Sequence, residues 1–198
     1  MKTKFYSGGE SGEIFMHEGT PFSGQGQVLE HFHGDYINGM ALCDQTNRLF
    51  IATSSKKIAV YDTETQTKIC QVENAHTKGI YGCTIVPDGH DATLLTCSAD
   101  NTVKMWKLNE DALTEMATIP QFEGAEEHVS RQMLNVICFM ENDALNTVSV
   151  NLQSELVYSV QGTPSQVTCG SKDKVDAIVT AADGTVYYSS ETFVHALR

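Results

Sequence analysis

Residues 75–109 read AHTKGIYGCTIVPDGHDATLLTCSADNTVKMWKLN. His76 precedes an apolar run that closes at Pro87-Asp88-Gly89. A second run ends in Ser98-Ala99-Asp100, and a third, Thr102 to Trp106, follows it. Apolar residues at period two mark strands, while Pro-Asp-Gly and Ala-Asp-Asn are turn sequences. The stretch therefore predicts three antiparallel strands with tight turns and a leading histidine.

The pattern repeats outward from that stretch. LLTCSADNTVKMWK (94–107) aligns without gaps on LFIATSSKKIAVYD (49–62), which puts Tyr61 at the Trp106 position and Ser55 at the Asp100 position. YSGGESGEIFMHE (6–18) puts His17 at the tryptophan position and Ser11 at the aspartate position. His17 and Tyr61 are 44 residues apart, and Tyr61 and Trp106 are 45 apart. TVSVNLQSELVYSV (147–160) fits with Ser159 at the tryptophan position, after a longer interval of 53 residues. AADGTVYYSS (181–190) resembles SADNTVKMWK, only 30 residues after the preceding equivalent point.

A period of about 40–45 residues with these strand and turn signals is similar to the WD-repeat family of β-propellers. The expected fold is all-β, a WD-repeat propeller of about five blades in one domain spanning 1–198. The blades are expected at about 4–34, 35–74, 75–124, 125–162 and 163–198. The first lacks an inner strand and the fourth is short of its outer strand. The last reads as inner, second and third strands, with ETFVHALR as a candidate fourth. Propellers protect sheet edges by closing a ring. Two outcomes stay open: an incomplete arc of a seven-bladed ring, which this reading favours, or a closed ring of reduced size.

The WD-repeat resemblance assigns His76, Thr96, Asp100 and Trp106 to the structural tetrad of such blades rather than to catalysis. The aspartate orients the histidine, and the hydroxyl links histidine to the indole, so each buried polar group is satisfied. Where the aspartate is lost, at Ser11, Ser55 and Gln153, the tryptophan position is also not Trp.

Composition narrows the function. The chain has 198 residues, is 41% hydrophobic, and carries a formal net charge of −12 with only 13 Lys and Arg. Scattered cations on an acidic chain argue against a phosphate-binding surface, so no nucleic-acid partner is expected. The acidic stretch 110–127 reads as a solvated loop or as an attraction for a basic partner. No run approaches the length of a membrane span, and the first twenty residues lack a signal-peptide apolar region, so no membrane partner and a cytoplasmic location are expected. The six cysteines (43, 70, 83, 97, 138 and 169) sit singly without a CxxC pair, as reduced core residues do. His31 and His33 share one face of a strand, but no third ligand is near in sequence, so no metal site is assigned. GxSxG, HExxH, GxGxxG and P-loop patterns are absent from the sequence. Neither an enzyme nor a cofactor is expected.

Phe15-Met16-His17-Glu18-Gly19-Thr20-Pro21-Phe22 resembles the Phe-Glu-Gly-Pro-Pro-Phe linker of the actin-interacting protein 1 family, with Thr20 in place of the first proline. The order of features continues through IAVYDTETQTKICQVENAH (58–76), GIYGCTIVPDG (79–89) and SADNTVKMW (98–106). VSRQMLNVICFMENDALNTVSVN (129–151) then resembles the family's Asp-Gln-Gln-Leu-Gly segment and the strand after it. The resemblance covers about Lys4 to Val160. It implies a cytoskeletal, non-enzymatic propeller that binds actin and cofilin and assists filament disassembly. It places Glu10 at an acidic turn site and Tyr36 at an aromatic site of the partner-binding face. A generic protein-binding scaffold, or a fragment without independent activity, is the alternative.

Overall fold

The computed structural model describes residues 4–19, 26–86, 93–120, 133–141, 144–151, 156–160, 163–167, 175–181, 185–190 and 193–197. These form five antiparallel sheets, each built from consecutive strands. The first holds β1 (Lys4–Gly8), β2 (Glu13–Glu18) and β3 (Gln27–His31). The second holds β4 (Ile37–Cys43), β5 (Arg48–Thr53), β6 (Ile58–Asp62) and β7 (Thr67–Val72). The third holds β8 (Ile80–Val86), β9 (Thr93–Ser98), β10 (Thr102–Asn109) and β11 (Ala112–Pro120). The fourth holds β12 (Met133–Glu141), β13 (Ala144–Asn151), β14 (Leu156–Val160) and β15 (Thr163–Val167). The last holds β16 (Val175–Thr180), β17 (Val186–Ser190) and β18 (Phe193–Leu197). No helix of the described residues is long and apolar enough to cross a membrane.

The strands β4, β8, β12 and β16 lie side by side in that order as the inner strands of successive blades. At Gly39, on β4, a Cβ would come within 3.0 Å of the Cys83 backbone nitrogen on β8, so a side chain there would push the inner strands apart. Gly12 turns β1 into β2 at φ +77° and lies against the Phe32 and Asp35 carbonyls, which leaves no room for a Cβ.

Period-two alternation explains why the middle strands are apolar throughout. On β5, Leu49 and Ile51 face the first sheet, with Ile14 and Phe32. The intervening Phe50 and Ala52 face the third, with Ile80, Leu94 and Trp106. A third cluster joins Leu95, Cys97 and Val103 to Val136 and Cys138 of the fourth sheet. A fourth joins Ile137, Val148 and Leu156 to Ile178, Val186 and Tyr188 of the last. The core is thus four layers between five sheets, and a middle strand must be apolar on both faces. Burial pushes the Cys97 thiol well above its ordinary range, as suits an inert core cysteine.

The end of the chain departs from the sequence expectation. Thr163–Val167 pairs with β14, so it is the outer strand of the fourth sheet and not the start of the last. The expected boundary at 162/163 falls inside one sheet, and the fourth sheet is not short of a strand. Residues 186–190 are the second strand of the last sheet, not its third, and Phe193–Leu197 is its third. β16 lies beside β12 and carries a register shift at its start, as β4, β8 and β12 do, which marks an inner strand. The 30-residue interval arose because the sequence Ala-Asp-Gly-Thr before Val186 resembles Ala-Asp-Asn-Thr at Asp100, while it stands between the first and second strands of its sheet and not the second and third. The Pro87-Asp88-Gly89 turn, Gln153 and Cys169 lie outside the described residues.

Candidate functional site

The third sheet brings His76, Thr96, Asp100 and Trp106 together. Trp106, on β10, donates from Nε1 to Thr96 Oγ1 at 2.9 Å. The Thr96 hydroxyl lies 2.8 Å from His76 Nε2, and His76 Nδ1 lies 3.0 Å from Asp100 Oδ2. A consistent order of donors runs from indole to hydroxyl to imidazole to carboxylate. Asp100 also accepts from the Thr77 amide at 2.9 Å, the Thr102 amide at 3.1 Å and the Thr102 hydroxyl at 2.6 Å. Burial alone would raise the Asp100 carboxyl. Hydrogen bonds from His76, Thr102 and the Thr77 amide outweigh burial and hold it well below the usual carboxylate range. His76 and Thr96 are sealed from solvent, so no substrate can reach the hydroxyl. The cluster fastens the loop before β8 to the turn after β9.

The other sheets handle the same positions differently. Phe5 pairs with His17, Leu49 with Tyr61, Leu94 with Trp106 and Thr147 with Ser159, which sets the four hairpins in one register. In the first sheet the Ser7 hydroxyl lies 2.9 Å from His17 Nε2, reproducing the hydroxyl-to-ring bond of Thr96 and Trp106. Phe5 stacks on that imidazole at 4.3 Å. In the fourth, Thr147 and Ser159 bond through their hydroxyls at 2.5 Å.

The second sheet has apolar Ile51 where the third has Thr96, so no hydroxyl faces its ring. Tyr61 instead donates outward to Glu30 Oε2 of the first sheet at 2.6 Å, and Lys68 Nζ lies 2.9 Å from the same oxygen. Burial would raise the Glu30 carboxyl, but the Tyr61 hydroxyl and the Lys68 ammonium outweigh it and lower it to about 2. Burial first, and then Glu30, push the Tyr61 phenol well up. Sequence reasoning missed this latch, because its partners sit on different sheets with no fixed spacing. Tyr61→Phe is expected to cost about 1 kcal/mol, the lower end for a charged acceptor that keeps some solvent. Because the folded Glu30 value is depressed, its contribution is full above the unfolded value of about 4.3. It is lost as pH falls toward about 2. Urea unfolding of wild type and Glu30→Gln across that window should therefore converge in acid.

The loop before β4 carries a second group the sequence reading did not single out. Asp35 is buried and accepts from Ser54 Oγ at 2.7 Å, the Ser55 amide at 2.8 Å and the Ser55 hydroxyl. Ser55 thus donates where Asp100 would accept, and the acid has moved into the preceding loop. His33, which aligns with His76, is exposed instead and lies beside His31 with ring centroids 3.8 Å apart. No cluster of three potential metal ligands occurs among the described residues.

Glu10 and Tyr36 occupy one rim. Glu10 is exposed in the β1–β2 turn, and the neighbouring Gly9 carbonyl accepts from the Ile37 amide at 3.1 Å. Tyr36 is 53% exposed, with its amide on Ser54 Oγ at 3.1 Å. They are not part of the Asp100 cluster. Of the acidic stretch, Glu110, Asp111 and Glu115 are exposed, and Glu115 pairs with Lys104 at 2.8 Å. Glu123, Glu126 and Glu127 lie outside the described residues.

Residues 67–107 match the family model "WD domain, G-beta repeat". The chain is 28% identical over 151 residues to WD repeat-containing protein 1 of Bos taurus, covering 75% of this chain and 23% of that protein. It is equally similar to the Mus musculus protein of that name. It is 30% identical over 77 residues to Lissencephaly-1 homolog 1 of Paramecium tetraurelia, covering 39% of this chain and 18% of that protein. The chain thus spans less than a quarter of the length of these relatives. Its structure is similar to the Myceliophteria thermophila Cps50 (Swd1) β-propeller domain, with a TM-score of 0.71 at 12% identity, over 94% of this chain and 58% of that one. Five radial sheets, inner strand beside inner strand, and these likenesses give the chain the fold of a WD-repeat β-propeller.

Proposed function

We propose that the chain is a non-enzymatic protein-interaction propeller that binds cofilin-decorated actin filaments and promotes their disassembly. The observation that carries this reading is the likeness over 151 residues to WD repeat-containing protein 1, the homologue of actin-interacting protein 1. It is supported by Glu10 and Tyr36, which stand exposed on one rim, as a partner-binding pair would. The closed polar cluster of the third sheet supports a structural rather than a catalytic role for His76, Thr96, Asp100 and Trp106. Co-sedimentation with actin filaments tests the reading, and the expected result is much stronger pelleting when cofilin is present. Glu10→Ala with Tyr36→Ala should weaken it about tenfold or more while the unfolding midpoint stays unchanged. Pelleting that ignores cofilin would replace this reading with that of a general WD-repeat scaffold, which the likeness to the Cps50 (Swd1) domain equally fits.

A further inference from the structure

We propose that the rim formed by Tyr36, Lys56, Lys78 and Tyr81 is a docking surface for an acidic peptide segment of a protein partner. The surface spans the second and third sheets and is tied together through the backbone. The Ser54 amide donates to the Tyr36 carbonyl at 2.9 Å. The Ser54 carbonyl sits where a Cβ on Gly79 would meet it at 2.7 Å. The Ala75 amide donates to the Lys56 carbonyl at 2.8 Å, and Asn38 donates from Nδ2 to the Ile80 carbonyl at 2.8 Å. Tyr36, Lys56, Lys78 and Tyr81 therefore share one end of adjoining blades, on a backbone already fixed before a partner arrives.

The charges on this rim are uncommitted. Lys4, Lys68 and Lys104 pair with Glu18, Glu30 and Glu115. Lys56, its neighbour Lys57, and Lys78 have no acidic partner among the described residues. The two nearby acids, Asp35 and Asp100, keep their charges but are turned onto Ser54 and Ser55, and onto His76, Thr77 and Thr102, rather than onto a lysine. On a chain of net charge −12, three lysines without an acidic side-chain partner among the described residues gather cations on a rim where Glu10 is an exposed acid. Lys56 also sits at φ 74°, a left-handed turn position where the third sheet has Asn101 at φ 66°. Turn chemistry favours Asn or Gly there, so the lysine is not explained by the backbone it occupies. Tyr36 and Tyr81 are exposed, and neither phenol has a hydrogen-bond partner among the described residues. They supply flat amphipathic anchors beside the ammonium groups. Three lysines are too few to hold a phosphate backbone against the net charge, which favours a peptide over a nucleic acid.

The test is fluorescence anisotropy of a short labelled peptide of alternating glutamate and leucine. A lysine–leucine peptide and a single-stranded oligonucleotide serve as comparisons. The acidic peptide is expected to bind best, and more weakly as salt rises. Lys56→Glu with Lys78→Glu should weaken it about tenfold or more, as should Tyr36→Ala with Tyr81→Ala. Lys4→Gln, on the first sheet, should leave it unchanged. If charge reversal lowers the unfolding midpoint, Lys56→Gln with Lys78→Gln should still weaken binding by several fold. An acidic peptide that does not bind, binding untouched by the lysine substitutions, or an oligonucleotide that binds as tightly would each overturn the proposal. The assay contains neither actin nor cofilin, so its outcome is separate from that of the co-sedimentation experiment.

Discussion

Trp106→Ala is expected to lower the unfolding free energy by about 3–5 kcal/mol, the usual cost of emptying a buried aromatic site. The indole lies in the cluster that joins the second and third sheets, beside Phe50, Ile80 and Leu94. Its removal also leaves Thr96 without a donor. Asp100→Ala should cost about 1–3 kcal/mol, because the buried His76 Nδ1 loses its acceptor. The two effects should be less than additive, since both residues act through Thr96 and His76. Asp100 also makes an acid-sensitive contribution. Its folded value is depressed, so the stability it adds is full above the unfolded value of about 3.9 and is lost as pH falls through the folded one. Asp100→Asn should flatten that part of the profile in chemical denaturation. A Trp106→Ala midpoint equal to wild type would remove the cluster from any account of the fold.

The second large effect expected is self-association of the isolated chain. One face of the last sheet packs on the fourth through Ile178, Val186 and Tyr188. The opposite face carries the cross-strand rows Val179–Tyr187–Ala196 and Ala177–Ser189–Val194. Val179 is 53% exposed and Val194 75%. Each of the other sheets that has a following neighbour buries such a face against it, so this one continues an interface series without its next member. An apolar sheet face left in water associates with whatever covers it. Sedimentation should show an apparent mass that rises with concentration. Val179→Lys with Val194→Lys should suppress this about tenfold or more while leaving the unfolding midpoint near wild type. A chain that stays monomeric at high concentration would show that this face is stable when bare.

The third sheet was legible because its polar residues recur at offsets that only one hairpin geometry satisfies. The register of the first, second and fourth sheets followed from the same alignment, even where Tyr61, His17 or Ser159 replaces the tryptophan. The bond between Ser7 and His17 could have been found the same way, since Ser7 aligns with Thr96. The last sheet was misread because Ala-Asp-Gly-Thr resembles Ala-Asp-Asn-Thr as chemistry while joining other strands. A register shift at Val175 identifies the strand, and such shifts leave no mark in hydropathy. Glu30 and Asp35 were invisible for another reason. Their partners are set by how neighbouring sheets pack, which no local spacing encodes.

The four core layers have a kinetic meaning. Among the described residues, every substantial contact between sheets joins sequence neighbours, so these sheets are close to a one-dimensional array with nearest-neighbour coupling. Such an array need not open all at once. Amides of β5, β6, β9 and β10 are flanked by packed sheets on both sides and should exchange with deuterium last. Those of β17 and β18 have one packed side and should exchange through a local opening of the final sheet. Trp106→Ala would then do more than lower a midpoint. It would cut the array at its centre and leave the two ends to open independently.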